Sequence, residues 1–139
     1  MPKQVSRSVQ KPRTRPTTED GMMLLQIAQL AALRGVHDAS NWVWSDEFIP
    51  DYAEFVKKYP RGSEGYGKAR LVATHYETVG TLWKNKLINA DLLFDWLLIT
   101  GIWDRLKGFV LGERRQANQP KLGENFQKMA AAQARAFRR

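Results

Sequence analysis

The sequence predicts an all-α protein: a compact helical bundle of about five helices, with two long central helices, preceded by a disordered basic tail. Three observations predict it. From residue 22 onward the large apolar residues return at steps of three and four, the spacing of one helix face. No strand-like alternation or internal repeat is evident. The opening stretch MPKQVSRSVQKPRTRP holds Lys3, Arg7, Lys11, Arg13 and Arg15 with no acid, so it carries five of the eight net positive charges.

A chain of 139 residues supports one core. The expected organisation is a basic tail over 1–17 and a single helical domain over 18–139. The tail combines repelling charges with Pro2, Pro12 and Pro16 and few large apolar groups, so burial cannot offset its ordering entropy. The same prolines spoil the amphipathic helix of a transit peptide. The first sustained apolar run begins at Met22 and contains Gln26 and Gln29, which disfavours a secretory signal; a cytoplasmic location is expected.

Thr18 is the expected cap of the first helix, with Glu19 and Asp20 suited to its positive end and Gly35 as its stop. Residues 38–60 hold Trp42, Trp44, Phe48, Tyr52, Phe55 and Val56, but Pro50 breaks a continuous helix; a short piece before it and a helix from there to Tyr59 are expected. Pro60-Arg61-Gly62 forms a turn and Ser63 caps the first long helix, about 64–86, whose stripe is Val72, Tyr76, Val79 and Trp83. Asn89 caps the second, about 90–115, with Leu92, Trp96, Ile99, Trp103, Leu106 and Val110 as its stripe. An alanine-rich helix over about 122–137 ends in Arg135, Phe137, Arg138 and Arg139, cations where the dipole favours them. Trp83 and Trp103 are expected in the core.

The absence of cysteine removes disulfides, thiolate zinc sites, iron–sulfur clusters and thiol nucleophiles. His37 and His75 are left as imidazoles. His75 and Glu77 look adjacent in HYE, yet helical residues two apart point about 200° away from each other and cannot grip one ion or proton. His75 reads as a hydrogen-bonded structural imidazole at the stripe's edge. Asp91 and Asp95 have no third ligand at a matching spacing, and Asp91 is explained by the helix dipole. No nucleotide loop, nucleophile elbow or zinc helix is present, so no catalytic, metal or cofactor residue is assigned. The run 92–111 is long enough for a membrane span, but Asp95, Asp104, Arg105 and Lys107 would each cost about 2.5–3.5 kcal/mol near the bilayer centre.

Glu77 lies between Ala73 and Gly80 on one seam, and small residues around an acid suggest that another helix comes close there. A carboxylate in such a seam needs a basic partner; simple solvent exposure explains it equally. Gly101, Gly108 and Gly112 form a smooth back on the second long helix that permits close approach, and near its start Phe94, Leu97 and Leu98 leave the main stripe; the first helix of the chain, with Leu24, Ile27 and Leu30, covers them in a monomer, which is favoured, or a second copy does in a homodimer.

Tyr76-Glu77-Thr78-Val79-Gly80, then Lys86-Leu87-Ile88, Leu92-Leu93-Phe94-Asp95, Trp103 and Arg114 resemble the bacterial proteins of the domain of unknown function 4760 family, in order and spacing, over about residues 64–130. Lys68-Ala69-Arg70 resembles that family's basic stretch. The resemblance implies a helical fold and no established activity. It also implies Glu77 and Arg114 as a matched structural pair. They lie about 16 and 37 Å of helical rise from the turn between the long helices, so contact requires a break near Leu111, at Gly108 or Gly112. Many family members carry an N-terminal membrane helix; the basic tail stands in its place here.

The expected function is that of a noncatalytic interaction domain recruited by its tail to a protein or other acidic partner. Nucleic-acid binding and attachment to an anionic lipid surface use the same charges, Lys3, Arg7, Lys11, Arg13, Arg15, Arg135, Arg138 and Arg139, and stay open beside it. An enzyme with an unrecognised site is the third alternative.

Overall fold

Local chemistry sets most helix ends. Thr17, one residue before the expected cap, accepts a hydrogen bond from the Asp20 amide while the Asp20 carboxylate accepts from the Thr17 amide at 2.7 Å, a reciprocal capping box. Gly35 adopts φ 74°, the left-handed conformation that closes a helix without a Cβ clash. Asp51, Ser63 and Asn89 cap the helices that follow them through their side chains.

The computed structural model describes residues 15–138. Among these are seven helices and no strand: α1 (Thr18–Arg34), α2 (Val36–Val43), α3 (Tyr52–Lys58), α4 (Glu64–Lys84), α5 (Ala90–Trp96), α6 (Ile99–Ala117) and α7 (Glu124–Phe137). The count exceeds the expected five because the residues after Gly35 form a short helix of their own, α2, and the second long helix is split at Leu97-Leu98. Helix α7 begins at Glu124, two residues later than expected, because Gly123 at φ 72° turns the chain into it. Among the described residues no helix is long and apolar enough to cross a membrane.

The second long helix of the sequence reading is two helices. Leu97 and Leu98 are extended, and Gln133 of α7 holds them so. Its side-chain oxygen accepts from the Ile99 and Thr100 amides at 2.7 and 2.9 Å, and its amide donates to the Leu97 carbonyl at 2.6 Å. Fully buried, Gln133 is the cap that Leu98 cannot supply. The break also changes the phase of the apolar stripe. Ile99, Leu106 and Val110 are buried as expected, with Ile102 and Phe109, but Leu93 replaces Leu92 and Trp96 faces outward.

The core runs between α4, α6 and α7, where Val72, Val79, Ile99, Leu106, Phe126 and Met129 are buried, and continues through Val43 and Phe55. Trp83 and Trp103 flank this core, half-buried, with Trp103 edge-on to Phe126 at 5.0 Å. The glycine back of α6 is covered within the chain: the Pro50 carbonyl seats on Gly108 and the Tyr52 ring on Gly112. Arg105 fastens this connection, donating to the Val43 and Ser45 carbonyls at 2.7 Å each, with its guanidinium over the Phe48 ring.

Candidate functional site

The seam expected around Glu77 is real, and α7 is the helix that fills it. A Cβ on Gly80 would lie 2.7 Å from the Asn125 backbone carbon, so only glycine admits α7 at this distance. Glu77 then accepts from the Phe126 amide at 2.9 Å. Gly123 has no side chain with which to cap α7, and the carboxylate from α4 does it instead, at the positive end of the helix dipole.

Arg114 works on the same connection from the other side. It donates to the Leu122 carbonyl at 2.9 Å and to the Gln127 side chain at 3.0 Å. The expected Glu77–Arg114 contact is absent: no hydrogen bond or ion pair joins the two among the described residues. Helix α6 runs without a break from Ile99 to Ala117, because the chain breaks at Leu97-Leu98 rather than near Leu111. The two residues converge on one loop without touching.

One polar cluster has no counterpart in the sequence reading. Glu113 is buried on α6 and accepts from the Tyr52 hydroxyl at 2.7 Å and from the Tyr66 hydroxyl, with the Arg61 guanidinium at 3.6 Å. Burial, and then the bond to Glu113, pushes each phenol up to about 12. The partners lie 47 and 61 residues from Glu113, too far for local pattern to connect them. The available signal was a charged residue on the stripe of Ile102, Leu106, Phe109 and Val110.

Between these two polar groups lies a cavity of about 210 Å³. Arg70, Ala73, Thr74 and Glu77 form its α4 wall, Phe109, Val110 and Glu113 its α6 wall, and Leu122 with Gly123 its loop side.

The remaining candidates separate. His75 is buried, but its Nδ1 has no hydrogen-bond partner, in contrast to the bonded imidazole expected. Burial, with the Arg34 charge, holds it below its ordinary value of 6.5. Asp91 and Asp95 are exposed, and no group of three metal-ligating side chains occurs among the described residues. Arg15, Arg135 and Arg138 are exposed; Lys3, Arg7, Lys11, Arg13 and Arg139 lie outside the described residues. Phe137 is exposed between Arg135 and Arg138.

Several large apolar side chains are exposed together on α1. Met22, Leu25 and Leu33 are 59%, 63% and 85% exposed, and with Gln29 and Ala32 they make one strip without a charge. Its other side is held down by Ile27 in the core and by Asp20, which accepts from the Asn89 amide at 2.9 Å and so ties the start of α1 to the start of α5.

Comparison with known proteins returns a single kind of likeness. A family model described as "Domain of unknown function (DUF4760)" matches residues 16–133. No curated protein and no solved structure matches the chain.

Proposed function

The chain belongs to the domain of unknown function 4760 family, and within it we propose that this protein is a noncatalytic cytoplasmic interaction domain. On this reading the outer strip of α1 docks an acidic amphipathic segment of a protein partner. The observation that carries it is the uncharged strip of Met22, Leu25 and Leu33 directly after the basic stretch. A soluble surface normally breaks such strips with charge. The interior acids support the reading: Asp20, Glu77 and Glu113 are each engaged in bonds that hold helices and loops in place.

Charge and size together specify the partner. A 17-residue helix face measures roughly 25 by 10 Å, well short of the roughly 800 Å² per side of a standard interface. Apolar contact there needs help, and the tail's five cations supply it to an acidic partner. A second copy would bring the same cations and add repulsion. The filled glycine back of α6 likewise favours a monomer.

The test uses the full chain and a helical peptide with leucines at i, i+3, i+4 and i+7 and glutamates elsewhere. Binding should shift the amide resonances of α1, weaken with salt, and fall about tenfold or more in Leu25→Asp and Leu33→Asp, both outward-facing positions. Tighter binding to single-stranded DNA or phosphatidylserine vesicles that both variants retain would replace the reading with the nucleic-acid or lipid alternative. A dimer mass abolished by the same variants would assign the strip to self-association.

A further inference from the structure

The charged groups around the cavity between α4, α6 and the loop before α7 differ in how they are partnered. Of the acids in its walls, Glu113 is met by two phenols and Arg61, and Glu77 by the amide end of α7. Arg114, just behind Gly123, is committed to Leu122 and Gln127. Arg70 alone among the wall charges has no hydrogen bond or ion pair among the described residues. Thr74, one turn further along α4, places a hydroxyl on the same face. The rest of the wall is Gly123 and the apolar side chains of Ala73, Phe109, Val110 and Leu122.

We propose that this cavity is a binding site for a small monocarboxylate with a compact apolar body, its carboxylate on Arg70 and Thr74 and its body against Phe109, Val110 and Leu122. The guanidinium fork matches a planar carboxylate through two parallel hydrogen bonds, and the Thr74 hydroxyl donates a third. Size agrees: an apolar cavity of about 150 Å³ takes up benzene, so 210 Å³ holds an aromatic ring with a carboxylate attached. The lone pairs of Glu77 and Glu113 are already occupied by donors of the fold, whereas the Arg70 donors are open to an acceptor. Ala73 sets the capacity, because a larger side chain there enters the space that the ligand's body would fill.

Benzoate is the probe and benzamide, equal in shape but uncharged, its control, with heteronuclear NMR on the full chain as the readout. Benzoate should give saturable shifts at Thr74, Val110 and Leu122, with benzamide at least about tenfold weaker. Arg70→Gln should lower benzoate to the benzamide level, and Ala73→Leu should remove both while leaving the spectrum that of a folded protein. Absence of saturable shifts up to millimolar benzoate overturns the proposal. So do shifts confined to the basic tail, or benzoate binding that Arg70→Gln leaves unchanged.

Discussion

Gly35 and Leu97-Leu98 each turn one helix into the next within two residues, by different physical means. At Gly35 the cause is in the backbone: a left-handed residue ends α1, its amide bonds back to the last turn, and nothing outside the segment is required. At Leu97-Leu98 the immediate neighbours are Trp96 and Ile99, so neither the dipeptide nor the residue on either side of it is a glycine, a proline or a capping side chain. The freed backbone groups are satisfied by Gln133, more than thirty residues away. The first junction is a property of its sequence; the second is a property of the packed protein. The same division separates Ser63, which caps its own helix, from Glu77, which caps another.

Removing the distant partners tests this division most severely. Gln133→Leu keeps volume but leaves the Ile99 and Thr100 amides and the Leu97 carbonyl unpaired in the core, and should cost about 3–5 kcal/mol in chemical denaturation. A loss under about 1 kcal/mol would mean that the junction holds itself. Glu77→Ala should cost about 2 kcal/mol and loosen the start of α7, seen as faster hydrogen exchange at Phe126. Equal exchange in both proteins would return Glu77 to a solvent-exposed role.

The Glu113 cluster gives a smaller, pH-dependent effect. Tyr52 and Tyr66 lie at about 12 in the fold against 10.0 in an unfolded chain, so the fold holds these protons more tightly. Their contribution is complete below pH 10 and is lost as pH rises from 10 towards 12. Stability followed across that window should fall less steeply in Tyr66→Phe, and an unchanged slope would detach the phenols from Glu113. Gly35→Ala should be the mildest change, at about 1 kcal/mol, because open space surrounds the position and only the φ of 74° opposes a side chain. A loss as large as that of Gln133→Leu would erase the contrast between the two junctions.

What could be read in advance follows the same line. Gly35, Ser63, Asn89 and Gly80 express their roles through local spacing, and the structure uses each as expected. The break in the second long helix, the phase of its stripe and the Glu113 cluster depend on partners that periodicity cannot connect. A trace of them existed. Gln133 continues the buried positions Phe126, Met129 and Ala130, and a polar residue in such a row must be satisfied by something outside its own helix. The Glu77–Arg114 pair failed for a related reason: both residues serve the fold, but through the backbone of a third segment.

The Gln133 cap also sets an order on synthesis. A chain made from its N-terminus produces α5 and α6 well before residue 133 exists, and domains begin to organise as they emerge. Until then the amides of Ile99 and Thr100 have no partner but water or their own helix, and 90–117 is free to run as the single helix that its periodicity encodes. The cap on this junction is therefore completed only after residue 133 has been made.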